Sequence, residues 1–452
     1  MIRKHSFFIT VCQLAIPVAL QSMLQASFSI VDQIMIGQLG SVSIAAVGLA
    51  GKFASMYSVV ISAIGAVGGI MIAQYLGQKN QREVKRSFYV NLMVAVAMAV
   101  LFSMVCVLFP NQIMGLYTKE PATARTAANY LMMVAGTFLP MAGATMASTL
   151  LRCMERAQYP LYASVASALL NTGLNYVLIF GKCGFAPMGV KGAAIATVIA
   201  QWVNLLLMIA MMQWQTVLGF DTSGCEKKIG TFNARQYVGM LLPILMCEVV
   251  WSLGENVYAA IYGHMGTAAS AAMTLINPVQ GLMIGALCGL SQAAGILIGK
   301  KLGNKEYDDA YQASKRLIWY GAVVSVALSV VIVLMRSFYV EIYQVEDIVK
   351  QMTQQILIAY ALIAPYKVLN MILGGGILRS GGKTNYVMAI DMIGTWCFGV
   401  PLGLLAAFVW KLTIPQVYFL LSLEECVRFG ISVMVFRRKR WIQSLNATEK
   451  RV

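Results

Sequence analysis

The chain has 452 residues, of which 59% are hydrophobic and only 12% charged, with a mean hydropathy of +0.72. A soluble domain carries about 25% charged residues, so most of this length is excluded from water. The net charge of +16 would suit nucleic acid on a soluble protein, but the basic residues fall in short loops and tails, which points to a membrane surface instead.

A bilayer core of about 30 Å takes roughly 20 apolar residues per helix. The first apolar stretch, 7–36, is too long for the apolar core of a signal peptide and has no clean cleavage pattern, so it reads as the first span. Gly, Pro and charge clusters then delimit spans near 44–76, 87–109, 126–150, 160–180 and 192–213. After an irregular stretch they delimit six more, near 236–262, 268–298, 312–335, 353–377, 386–409 and 414–436. The expectation is an all-α membrane protein of twelve transmembrane helices. Its parts are an N-lobe over 1–213, a cytosolic linker over 214–235, a C-lobe over 236–436 and a basic cytosolic tail over 437–452.

Basic residues fall unevenly on the two sides. The loops around 79–86, 152–156, 227–235, 300–316 and 379–383, with the two tails, hold 24 of the 34 Lys and Arg. The loops between hold seven: Lys119, Arg125, Lys182, Lys191, Arg336, Lys350 and Lys411. This bias predicts both termini in the cytosol, which requires an even number of spans.

The two halves repeat each other. Pro17 matches Pro243, Gly37 and Gly40 match Gly263 and Gly266, Ala45 and Ala46 match Ala271 and Ala272, and Gly77 matches Gly303, all at a spacing of 226. Arg152 and Arg379 continue the match at 227, and Pro140 and Pro365 at 225. Each half holds an even number of spans, so the repeats are parallel. In transporters built this way, substrate binds at the repeat interface near the midplane.

None of the nine Cys forms a C-x-x-C pair, and the two His, at 5 and 264, are far apart. A zinc site and a disulfide frame are not expected, and no catalytic pair stands at a defined spacing, so neither an enzyme nor a cofactor is predicted. Four groups of residues can carry chemistry. Asp32 lies in the apolar run S-I-V-D-Q-I-M-I, where a carboxylate costs a few kcal/mol unless it faces a cavity or binds a cation; the alternative is that the long first helix lifts it to the outer surface. Asn171 and Asn175 share one helix face, and with Thr197 they offer oxygens that suit a hard cation. Interhelical hydrogen bonding is their alternative. Glu248 and Glu255 lie seven residues apart on one face, with Trp251 and Tyr258 near enough to stack on aromatic cations. Lys367 and Asn370 follow Pro365 in helix ten, and Lys367 is a possible partner for Glu255. Asp391 reads as a helix-start acid satisfied by backbone donors, and Pro17 as a kink in helix one.

Taken in order, L-A-I-P, V-D-Q-I-M-I-G-Q-L-G, A-Q-Y-L-G-Q, G-V-K-G-A-A-I-A-T and L-R-S-G-G-K-T on the duplicated frame resemble the multidrug and toxic compound extrusion (MATE) family over nearly the whole chain. The resemblance implies two pseudo-symmetric six-helix bundles in a cell membrane. It also implies export of small organic, often cationic and aromatic compounds, coupled to Na+ or H+. It makes Asp32, Asn171, Asn175 and Thr197 an N-lobe cation site, with possible Na+ there, and Glu248 the acid of helix seven. The chain departs from the family pattern at Asn175, where members often carry Asp, and at Lys367 and Asn370, where several carry an acid. A monomer in contact with lipid is expected. The alternatives are a lipid-linked glycan flippase, which favours a more basic cavity, a channel and a membrane enzyme.

Overall fold

A computed structural model describes residues 2–118, 120–182, 184–214, 234–343 and 345–445. The predicted linker at 214–235 lies almost wholly outside the described residues, as does the tail beyond 445. Among the described residues the secondary structure is helical, without strands. In lipid this is forced, because every backbone N–H and C=O must find its partner within the segment.

Among the described residues, eleven helices are long and apolar enough to cross a membrane. In the first half these are α1 (Ile2–Gly37), α2 (Ser41–Gly77), α3 (Gln81–Leu108), α4 (Pro121–Cys153), α5 (Gln158–Phe180) and α6 (Val190–Trp214). In the second half they are α7 (Ala234–His264), α8 (Thr267–Gly303), α9 (Tyr307–Glu341), α10 (Asp347–Leu378) and α11 (Thr384–Val409). A short helix, Pro110–Tyr117, connects α3 to α4. The twelfth predicted span is built from two pieces, Ile414–Ser422 and Glu424–Arg437, which together form α12. Leu423 between them keeps helical angles, φ −61° and ψ −16°, so the run of helix is continuous. Its start is set by Thr413, whose N–H donates to Gln416 Oε1 at 3.2 Å.

The repeat read in the sequence is repeated in the helix boundaries. Ser41 and Thr267, Gln81 and Tyr307, Pro121 and Asp347, and Gln158 and Thr384 begin corresponding helices, each pair 226 residues apart. The chain divides into two compact units. One comprises Leu20–Leu76 and Asn80–Asn233, the other Met1–Ala19, Gly77–Lys79 and Ala234–Val452.

Inside a membrane, apolar burial gives little drive for helix association; close packing over small residues and buried hydrogen bonds take its place. In the first unit a Cβ on Gly192 of α6 would come within 2.7 Å of the Leu178 backbone of α5. A Cβ on Gly143 of α4 would meet Leu205 of α6 at 2.7 Å. Tyr57 of α2 stacks on Phe138 of α4 at 4.3 Å and donates to the Phe138 carbonyl at 2.6 Å. In the second unit Gly374, Gly375 and Gly376 lie in a π-helical stretch of α10, Met371–Leu378. A Cβ on Gly376 would meet the Ser291 carbonyl of α8 at 2.6 Å, and Ser291 Oγ donates to the Met371 carbonyl at 2.6 Å. Wide turns of this kind are frequent beside functional sites. Helix α1 runs unbroken through Pro17.

Candidate functional site

In the first unit, three helices bring four predicted residues together. Asp32, half-buried on α1, accepts from Asn175 Nδ2 of α5 at 2.8 Å. Asn175 is 1% exposed, and its Oδ1 is buried with no partner among the described residues. Thr197 of α6 donates to the Ala193 carbonyl at 2.9 Å, leaving its lone pairs toward Asn171. The Asn175 hydrogen bond ties Asp32 of α1 to α5.

The Asn171 amide satisfies both its ends with Nδ2 toward Asp32: it donates to both carboxylate oxygens, at 3.1 and 3.0 Å, and its Oδ1 accepts from Thr197 N–H at 3.3 Å. The carboxylate is thus held by two amides, and neutral oxygens around one carboxylate suit a hard cation. Beyond the site, Ile36, Ile179 and Ala193 form a buried apolar cluster packed by Met35, Leu39, Val47, Tyr130 and Phe180. It limits water access from that side and strengthens the electrostatics within.

The second unit carries a larger polar network. Arg428 of α12, 7% exposed, pairs with Asp391 of α11 at 2.9 Å and with Glu425 at 3.5 Å. Glu425 also accepts from Asn370 Nδ2 of α10 at 2.8 Å. Cys247 of α7 donates to Asp391 at 2.5 Å and accepts from Arg379 at 3.3 Å, while Arg379 pairs with Glu248 at 3.8 Å. Tyr258 of α7 donates to Glu424 at 2.5 Å. Asp391 is therefore no helix-start acid. It lies well inside α11, where backbone donors are already used, and a buried arginine satisfies it.

Two cavities flank this network. One, of 370 Å³, is lined by Glu255, Tyr258, Tyr262, Tyr360, Lys367 and Glu424 among others. The other, of 320 Å³, is lined by Glu248, Trp251, Lys367, Asn370, Arg379 and Asp391 among others. Glu248 and Glu255 thus line different cavities, and Lys367 lines both. No ion pair joins Glu255 to Lys367 among the described residues. Trp251 is 44% exposed, open for stacking.

Sequence reading missed Glu424, Glu425 and Arg428, although the signal was present. E-E-C-V-R interrupts an apolar run, and like Asp32 these charges are affordable in a membrane only when paired. The repeat also pointed to them. Asp32 corresponds to Tyr258 at a spacing of 226 and Thr197 to Glu424 at 227, so the acid changes helices between halves, and only in the second half does a hydrogen bond join the two positions. A second correspondence links Gln21, Arg152 and Ser164 with Cys247, Arg379 and Asp391. In the first unit Arg152 donates to Gln21 at 2.7 Å, and Gln21 donates to Ser164 at 2.6 Å. The duplicated frame keeps the contact and exchanges its chemistry.

A family model named MatE matches residues 17–177 and 243–405. The chain is 26% identical to the probable multidrug resistance protein NorM of Bradyrhizobium diazoefficiens, over 95% of this chain and 93% of that one. It is 25% identical to the uncharacterized transporter YisQ of Bacillus subtilis, over 91% and 90%. Among solved structures, the Vibrio cholerae MATE transporter VcmN in its bent form superposes with a TM-score of 0.88 at 17% identity, over 97% of this chain and 98% of that one. A MATE structure in complex with MaL6 gives 0.87 at 16% identity, over 96% of each chain.

Proposed function

The chain belongs to the MatE family of multidrug membrane transporters, and from that premise we propose that it exports small organic cations by antiport against Na+ or H+. The observation that carries the reading is the Asp32 carboxylate held by Asn175 at 2.8 Å within α1, α5 and α6. With the site unloaded, the Asn171 and Asn175 amides donate to the Asp32 carboxylate; a proton or cation taken up there competes with those donors. Loading thereby changes the hydrogen bonds between three helices. A ligand shifts a conformational equilibrium only through its differential affinity for the two states, and moving it from 1:99 to 99:1 takes about 5.5 kcal/mol.

Substrate enters from the cytosolic side and leaves on the other by alternating access. The basic excess assigns both termini to the cytosol of a bacterial inner membrane. The lining of the 370 Å³ cavity, three glutamates against one lysine with four tyrosines, supports cationic, aromatic cargo.

The test is efflux of a fluorescent cationic dye from vesicles of stated orientation with imposed Na+ or H+ gradients. The wild type exports under one of them, which identifies the coupling ion. Asp32→Asn inserts normally and loses gradient-driven export. Undiminished export by that variant would remove Asp32 from the mechanism.

A further inference from the structure

At the end of the second unit that the basic excess assigns to the cytosol, three rings stack in a row. Tyr311 of α9 lies on Phe436 of α12 at 4.9 Å with an interplanar angle of 17°, and Phe436 lies on Trp441 at 5.6 Å and 18°. Trp441 is fully buried and donates to the Phe436 carbonyl at 3.1 Å, which fixes that end of the stack. Phe436 covers one face of Tyr311 and leaves the other to two ammonium groups. Lys315 Nζ stands 4.7 Å from the ring centre and Lys439 Nζ 4.6 Å. Lys315 comes from one turn further along α9. Lys439 follows α12 with a left-handed backbone, φ 56°, a conformation uncommon outside glycine. A ring face attracts an exposed ammonium by about 0.5–1 kcal/mol but does not neutralise it. Among the described residues no acid pairs with either lysine. Of the acids in the first turn of α9, Asp309 faces Lys301 at 3.8 Å, and Asp308 pairs with neither Lys315 nor Lys439. Two like charges brought to one ring repel, and an anion held by both removes that cost.

We propose that Lys315 and Lys439 hold the phosphate of an anionic phospholipid, with Tyr311 as the platform that sets their spacing. The surface that continues from the site favours a lipid over a free phosphate. Trp319, 63% exposed, and Val323 and Val326, also exposed, follow Lys315 along α9 at spacings of four, eight and eleven residues, which keep to one side of a helix. From Lys315 to Val326 the helix rises about 16 Å, close to half of a bilayer core of about 30 Å. The stripe therefore matches an acyl chain of one leaflet, with Trp319 at the level where indole rings favour the interface. Arg437, Arg438 and Arg440 flank Lys439, are exposed, and pair with no acid among the described residues. Each basic group near an anionic membrane surface adds about 1 kcal/mol, so a net-negative headgroup is preferred to a zwitterionic one. The lipid bridges α9 and the segment after α12, which the ring stack already joins. The site lies apart from both cavities, and its test needs no transport.

The probe is phosphatidylglycerol with a fluorophore on one acyl chain, bound to the purified full-length protein in a neutral detergent and followed by anisotropy. Unlabelled phosphatidylglycerol displaces it at about tenfold lower concentration than phosphatidylcholine. Lys315→Gln with Lys439→Gln brings the two lipids within about twofold and leaves the melting temperature unchanged, since both side chains are exposed. Lys315→Arg with Lys439→Arg keeps the preference. Lys79→Gln, which removes an exposed charge from the loop after α2, also leaves it intact. Glycerol phosphate and inorganic phosphate, which share the anion but lack the chains, displace the probe far less well than the lipid. Failure of the probe to bind, or equal competition by the two phospholipids, overturns the proposal, as does a double Gln variant that retains the preference. A loss in Lys79→Gln as large as in the double variant replaces the site by a diffuse basic surface. Displacement by glycerol phosphate as effective as by phosphatidylglycerol overturns the lipid as occupant.

Discussion

Arg428 shows how a membrane-embedded charge is made tolerable. Its guanidinium meets Asp391 at 2.9 Å and Glu425 at 3.5 Å while only 7% exposed. Removing one partner of a buried pair leaves the other charges uncompensated, typically at about 3–5 kcal/mol. Arg428→Met is therefore expected to lower stability by about that amount, measured by thermal unfolding in detergent. Neutralising the acids together with it, as Arg428→Met with Asp391→Asn and Glu425→Gln, is expected to recover most of the loss; a triple variant as unstable as the single one would argue that the arginine acts through packing. Asn175 is the counterpart in the first unit. Asn175→Ala removes a charge-assisted hydrogen bond to Asp32 worth about 1.5–3 kcal/mol and a buried oxygen without a hydrogen-bond partner among the described residues. We expect the half-saturating concentration of the driving ion to change by at least about tenfold, with the amount of inserted protein unchanged.

Helices position these groups through close approaches that tolerate only glycine. A Cβ at Gly399 of α11 would stand 2.2 Å from both Glu424 Oε2 and the Tyr258 hydroxyl. Gly399→Ala must push these two apart, and overpacking of this kind costs about 1–3 kcal/mol. Its expected signature is a lower melting temperature together with weakened dye binding in the second-unit cavity. Gly192→Ala is expected to separate α6 from the Leu178 backbone of α5 and so loosen the helices that hold Thr197, Asn171 and Asn175. Its readout is weaker coupling of efflux to the imposed gradient. The interrupted α12 belongs to the same scale. Its apolar continuity is broken by E-E-C-V-R, so neither piece alone looks like a span, yet buried partners on α7, α10 and α11 make the whole segment affordable.

For the molecule as a whole, orientation is the property most directly open to measurement. Lys182→Cys is expected to react with an impermeant maleimide from outside intact cells, and Lys305→Cys only after the cytosolic face is exposed. Labelling of Lys305→Cys from outside would invert the assigned topology. The duplication also makes a chemical point at this scale. Two copies of one frame keep helix starts in register at 226 residues, but one copy holds a lone carboxylate among amides and the other a network of acids and bases. In the export cycle proposed above, the first copy takes the driving ion and the second receives cargo.

What the sequence determined by itself was the class of fold and the location of its costly residues. A span of about 20 apolar residues is a one-dimensional quantity fixed by bilayer thickness, and a repeat is a correlation along the chain, so both are visible without coordinates. The acid in S-I-V-D-Q-I-M-I stood out for the same reason, and the paired asparagines because spacing on one helix fixes their shared face. Partnership between helices is different. That Asp391 is held by Arg428, that Glu248 and Glu255 line separate cavities, and that Lys367 lines both depend on how α7, α10, α11 and α12 rotate about their axes. Those rotations follow from small-residue contacts such as Gly399 against Tyr258 and Gly376 against Ser291, which arise between residues far apart in the chain. Only the tertiary structure decides them, because each close approach is a property of two helices together and of neither alone.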